Sequence, residues 1–418
     1  MALGPTAIYE QLTILLTLAV ASHLFSKRFH QSTLVGEILL GVVLGPSLLG
    51  SLGIFQFDPT FIGTFATLGA IFLLFLIGLE SDFRTLYTRK NFLVALGGVV
   101  FPLAFGFLVA WYLAPVGLTT VGANGDRFLM ALFIGATLTA TSTAIAASVL
   151  LELNLMREEI GKTIMGAAVV DDILGLLVLS IVVGVAHGGI DAVGLVLVIV
   201  KAVAFIVVGI LVGVYGFSPM VIRLQVQGLR LGVKHGGFLI ALAVAFLYAL
   251  IAESIGLSAI IGAFLAGTMF APAPLKEEFA EGGRYLEAIF TPIFFISLGI
   301  AVDIWAVWRT PELFVFTVVL LVVAMVTKVA GCALAAWLQR MTPIESIAVG
   351  WGMTPRGEVG LIVALTAFTA LIIQDAMFSV IVLVIILVSV VPAPLFKQAL
   401  RAVEQERQAT AAGDAKPD

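Results

Sequence analysis

Apolar runs separated by short polar stretches recur along the chain from residue 7 to residue 399. Most supply about 20 residues, enough at 1.5 Å per residue to cross a hydrocarbon core of roughly 30 Å. A segment in lipid must satisfy its own backbone hydrogen bonds, so these runs read as helices and not as open strands. The pattern predicts thirteen, over 7–27, 33–50, 61–80, 91–114, 127–151, 160–187, 190–222, 236–252, 256–272, 284–303, 311–338, 343–370 and 376–399. The first, Ala7 to Lys27, carries no basic leader and no convincing cleavage site, and so reads as a retained helix. Two spans are interrupted. TLTATSTA (Thr137 to Ala144) breaks the fifth, and MTPRGEVG (Met353 to Gly360) breaks the twelfth, where Pro355 lacks the amide hydrogen needed to continue a helix.

Composition leaves no soluble alternative. Of 418 residues, 61% are hydrophobic and 11% charged, with a mean hydropathy of +1.16, whereas about a quarter of a typical globular domain is charged. The net charge of −4 says little with so few charges, and Cys332, the one cysteine, excludes an internal disulfide. The distribution of the 22 Lys and Arg is more telling. With loops numbered by the spans they join, the odd-numbered loops hold Lys27, Arg28, Arg84, Arg89, Lys90, Arg157, Lys162, Arg223, Arg230, Lys234, Lys276, Arg284 and Arg340. The C-terminal segment adds Lys397, Arg401, Arg407 and Lys416 to that side; the opposite side has only Arg127 and Arg309. The positive-inside rule then puts the N-terminus outside and the C-terminus in the cytoplasm.

Lys201, Lys328 and Arg356 remain inside the membrane, with Asp171 and Asp172 in the sixth span (VVDDILG). A carboxylate at the centre of a spanning helix costs roughly 2.5 to 3.5 kcal/mol on insertion scales, and adjacent anions also repel, so the pair reads as functional. Asp171, Asp172, Lys328, Thr141, Ser142 and Pro355 all fall roughly 15 to 18 Å from one membrane face, near the midplane. Neighbouring helical residues point about 100° apart, so one aspartate can meet Lys328 while the other faces water; the spacing does not say which. The simpler reading of Arg356 and Glu358 is a pair stabilising the break, and that of Thr141 and Ser142 is hydroxyls bonded to preceding carbonyls. Glu80 and Asp303 read as solvated helix ends, and Lys201 as a lysine snorkelling towards the headgroups.

The order of features repeats. VGEILLGVVLGP in the second span corresponds to LSAIIGAFLAGT in the ninth, and LLFLIGLESD ending the third to FFISLGIAVD ending the tenth. The broken fifth and twelfth spans follow in the same order. An offset of seven spans makes the two copies inverted, about 33–187 and 256–399, with 190–222 linking them and 400–418 left as a short polar cytoplasmic tail.

A channel would need a filter-lining segment, and none is evident. A membrane enzyme would need a nucleophile and base or metal ligands, yet there is no HExxH and the four histidines (His23, His30, His187, His235) lie apart near helix ends. No phosphate-binding loop points to ATP, and no cofactor or nucleic-acid partner is implied.

VVDDILG, TATSTAI, TPRGEVG and the lysine of the eleventh span together resemble the cation/proton antiporter superfamily, most closely its NapA-type bacterial branch, over about residues 7–399. The resemblance implies an all-helical NhaA/NapA-like fold in a multi-pass inner-membrane protein, exchanging Na⁺ for H⁺ electrogenically. It implies that Asp172 carries the cation or proton, with Asp171 contributing to the Na⁺ site and pairing with Lys328; a buried lysine can serve either as a structural counter-ion or as a group that releases a proton in each cycle. Thr141, Ser142, Thr143, Pro355, Arg356 and Glu358 would support the broken helices. It further implies a homodimer whose core, spans 4–6 and 11–13, moves in an elevator-like cycle. Kef-type potassium efflux proteins share much of this pattern, so K⁺/H⁺ exchange is the alternative. They usually carry Gln-Asp for Asp-Asp and a large C-terminal regulatory domain, features this chain lacks, and the motifs do not choose among Na⁺, K⁺ and Li⁺.

Overall fold

In the computed structural model the described residues are 5–29, 33–51, 57–80, 88–115, 117, 126–188, 192–230, 236–274 and 276–414. Their regular elements are all helical: α1 (Pro5–Phe29), α2 (Thr33–Leu44), α3 (Pro59–Glu80), α4 (Arg89–Leu113), α5 (Asp126–Thr137), α6 (Thr143–Glu152), α7 (Glu159–Gly188), α8 (Ala192–Val212) and α9 (Ser218–Arg230). They continue with α10 (Gly236–Ser254), α11 (Ala259–Phe270), α12 (Lys276–Ile300), α13 (Ile304–Arg309), α14 (Pro311–Leu338), α15 (Pro343–Gly352), α16 (Glu358–Thr369), α17 (Asp375–Val390) and α18 (Pro392–Asp414). Nine of the helical stretches are long and apolar enough to cross a membrane. The other four predicted spans are α2, α11 and the two interrupted ones, α5 with α6 and α15 with α16. The interruptions fall at 138–142 and 353–357, where the sequence places TATSTA and Pro355.

Several boundaries differ from the pattern, each for a local reason. The second span stops at Leu44 because Gly45 and Pro46 turn the chain, and Ser47 Oγ donates to Val302 O at 2.8 Å. The tenth begins at Lys276, since KEEFAEGGR is helical with Glu277 and Glu278 in the first turn, where acids favour a helix start. The seventh passes through a π-helical turn (Gly213–Phe217) into α9, which carries the helix beyond residue 222 to Arg230. Residues 400–414, read above as polar tail, are the rest of α18; Phe396, Leu400 and Val403 line one face of that helix and are buried.

The chain forms two compact units, divided within α7 between Gly175 and Leu176. The first comprises residues 1–83 and 176–302. There α2 and α12 run almost backbone to backbone: a Cβ on Gly41 would stand 2.1 Å from Ile296 O. Small residues at crossings are how helices in lipid gain contact without an aqueous driving force. The second comprises residues 84–175 and 303–418. Its tightest crossing joins α4 and α14, where a Cβ on Gly97 would lie 2.4 Å from Gly331 O. At one end Phe396, Leu400 and Val403 of α18 pack with Ile160, Ile164 and Met353 in a single apolar cluster. Lys397 pairs there with Glu152, and Thr342 Oγ1 donates to Glu406 Oε2 at 3.2 Å. A capping box of Thr342 and Glu345, followed by Pro343, starts α15.

Candidate ion site

All the candidate site residues lie in the second unit. Both helix breaks leave backbone groups that no helix satisfies, and the two breaks satisfy one another. Ser142 N donates to Pro355 O at 2.8 Å, and Thr141 Oγ1 to Met353 O at 2.9 Å. Ser142 and Gly357 touch, since a Cβ on Gly357 would sit 2.9 Å from that of Ser142. The hydroxyl of Thr141 therefore ties one break to the other instead of bonding within its own helix. Thr143 opens α6 and Pro355 is buried in the second break.

Arg356 is fully buried and bridges three segments. It donates through Nη1 to Ala140 O at 2.7 Å and through Nη2 to Ala324 O at 3.2 Å, while its own carbonyl accepts from Ser389 Oγ at 2.8 Å. Its hydrogen bonds thus go to carbonyls, not to Glu358, as the simpler sequence reading had it. The chain has placed a permanent cation against the Ala140 carbonyl freed by the first break, the arrangement that broken membrane helices require.

Helical spacing left open which aspartate faces the lysine, and the family resemblance implied Asp171; it is Asp171. Lys328 Nζ lies 2.8 Å from Asp171 Oδ1 and also donates to the carbonyl of Thr139, with both charged side chains fully enclosed. Asp171 Oδ2 has no hydrogen-bond partner among the described residues. Asp172, 6% accessible, makes no hydrogen bond or ion pair among them. Glu358 and Asp171 are its acidic electrostatic neighbours, and Lys328 opposes them. A paired, sealed carboxylate thus stands next to an unpaired one, and only the second can exchange a ligand without breaking an ion pair. Two of the groups around Lys328 could not be found from sequence. Thr139 acts through its backbone carbonyl, which no residue type signals. Gly98 provides the space for Lys328: a Cβ there would meet Cys332 Sγ at 2.6 Å and Lys328 Nζ at 3.2 Å.

A family model described as the transmembrane sodium/hydrogen exchanger matches residues 13–401. The chain belongs to the sodium/hydrogen exchanger family. It is therefore a multi-pass membrane transporter and not an enzyme. It is 32% identical to the Na⁺/H⁺-K⁺ antiporter GerN of Bacillus cereus over 95% of this chain and 97% of that protein. It is 32% identical to an Na⁺/H⁺ antiporter of Enterococcus hirae, covering 92% and 95%. The high-affinity Na⁺/H⁺ antiporter NhaS3 of Synechocystis matches at 33% over 90% of this chain and 79% of its own length. The fold matches the sodium proton antiporter MjNhaP1 of Methanocaldococcus jannaschii with a TM-score of 0.67 at 16% identity, covering 94% of this chain and 96% of that one.

Within this exchanger, Gly98→Ala tests the packing around the lysine. The added methyl forces Cys332 and Lys328 to shift, at a cost of roughly 1–3 kcal/mol for an overpacked core. Transport in reconstituted vesicles is expected to fall severalfold and the thermal midpoint to drop. Wild-type values of both would show that Lys328 tolerates displacement.

Proposed function

We propose that the protein exchanges Na⁺ for H⁺, with Asp172 as the group that binds either ion in turn. The observation that carries this reading is the unpaired carboxylate of Asp172 beside the enclosed Asp171–Lys328 pair, at the crossing of two helix breaks. The names of the Bacillus, Enterococcus and Synechocystis relatives support Na⁺ and H⁺ as the substrates. Asp171 holds Lys328 while Asp172 is protonated. When Na⁺ replaces that proton, Asp171 is free to contribute an oxygen, and Lys328 is the group able to give up the second proton of an electrogenic cycle. Arg356, Pro355, Thr141, Ser142 and Thr143 keep the breaks open, and Glu358 shapes the field at Asp172. The confinement of these residues to one compact unit supports an elevator-like displacement of that unit. The basic-residue bias supports an outside N-terminus and a cytoplasmic C-terminus in the inner membrane, and the sequence resemblance supports a homodimer.

Vesicles loaded with a pH dye and pulsed with Na⁺, Li⁺ or K⁺ test the substrate assignment. Na⁺ is expected to move protons. A response to K⁺ alone would replace this reading with K⁺/H⁺ exchange, a possibility raised by the K⁺ in the name of the Bacillus cereus relative.

A further inference from the structure

In the first unit a groove of about 650 Å³ opens between α8 and α10, and none of its lining residues belongs to the ion site. Its walls are apolar, with Phe205, Val208 and Val212 on α8 and Ile251 on α10, and its one charged group is Lys201 at the rim. From Lys201 to Val212 the helix rises about 16 Å, close to the hydrocarbon depth of one leaflet. Phe217 and Tyr248 form the inner wall with rings 5.9 Å apart and nearly edge-on. Phe217 belongs to the π-helical turn, an inserted residue of a kind that often marks functional sites. The floor is Gly209, whose carbonyl accepts from Tyr248 Oη at 2.8 Å.

Lys201 is exposed and makes no ion pair among the described residues. It shares the rim with Ser254 and Ile255, where α10 ends. Because α10 has 19 residues, about 28 Å of helix, its end reaches the headgroup level. An ammonium group at that level above an apolar slot has two complementary needs, an anion for its charge and hydrocarbon for the walls. A lipid phosphate above an acyl chain supplies both at once.

We propose that this groove is a binding site for one anionic phospholipid, its phosphate on Lys201 and one acyl chain lying over Gly209 towards Phe217. A lysine that merely snorkels into the interface would also favour anionic headgroups, but without regard to the groove floor at Gly209. The test uses purified, delipidated full-length protein, with thermal unfolding followed after addition of phosphatidylglycerol or phosphatidylcholine of matched chains. Phosphatidylglycerol is expected to raise the wild-type midpoint a few degrees beyond phosphatidylcholine. Lys201→Gln is expected to lose that extra increment and keep the phosphatidylcholine response, Lys201→Arg to retain both, and Gly209→Leu, which fills the floor, to lose the extra increment as well. Equal stabilisation of the wild type by the two lipids, a full phosphatidylglycerol increment in Lys201→Gln, or the same increment from inorganic phosphate alone would overturn the assignment.

Discussion

Asp172→Asn is expected to reduce Na⁺-driven proton movement to the level of protein-free vesicles while leaving the fold intact. The side chain makes no hydrogen bond or ion pair among the described residues, so replacing its carboxylate by an isosteric amide removes no contact from the folded state. What disappears is the charge for which Na⁺ and H⁺ compete in the proposed cycle. Asp171→Asn gives the opposite outcome for stability. It strands Lys328, which is completely enclosed, without its counter-ion, and breaking a buried pair by removing one partner costs roughly 3–5 kcal/mol. Thermal unfolding of the two variants side by side separates an ion-binding role from a structural one. Wild-type exchange rates in Asp172→Asn would remove Asp172 from the mechanism.

Lys328→Gln carries the second large effect. It leaves Asp171 enclosed beside the carbonyl of Thr139, two acceptors with no cation between them. Destabilisation of roughly 3–5 kcal/mol is expected, and pairing the change with Asp171→Asn should recover much of it, because the two residues are in direct contact and their effects are not additive. For function, the loss is in charge. In the proposed electrogenic cycle Lys328 carries the second proton, so with the lysine gone the remaining transport should stop responding to membrane potential. Currents on supported membranes at fixed Na⁺ and pH, with and without an imposed potential, measure this. A variant whose transport still follows the potential as the wild type does would show that Lys328 carries no proton.

Much of the architecture was legible because hydropathy in a membrane chain is nearly a direct record of which segments lie in lipid. Both helix breaks were legible too, since hydroxyl-rich TATSTA and Pro355 advertise a failure of helical hydrogen bonding. Less was visible where helix and polarity part company. The charged start of α12 and the final turns of α18 are helical outside any apolar run, and only Phe396, Leu400 and Val403 hinted at the buried face of α18. In the site, the depths of Asp171, Asp172 and Lys328 could be counted, but the rotation of α7 that turns Asp171 to the lysine depends on packing. The carbonyls of Thr139, Ala140 and Ala324 and the clearance at Gly98 carry no side-chain signature, so the groups that hold Lys328 and Arg356 in place emerged only with the structure.

The central claim is that Na⁺ and H⁺ compete for the single carboxylate of Asp172. The most direct measurement is the Na⁺ concentration for half-maximal exchange in reconstituted vesicles, taken across a series of pH values symmetric on both sides of the membrane. Competition at Asp172 predicts that this concentration rises as pH falls, by about tenfold per pH unit where that site is mostly protonated and more steeply where Na⁺ binding also releases the Lys328 proton, with the maximal rate at saturating Na⁺ unchanged. A half-maximal concentration that stays constant with pH while the maximal rate falls would contradict the account, placing the proton and the cation on separate groups.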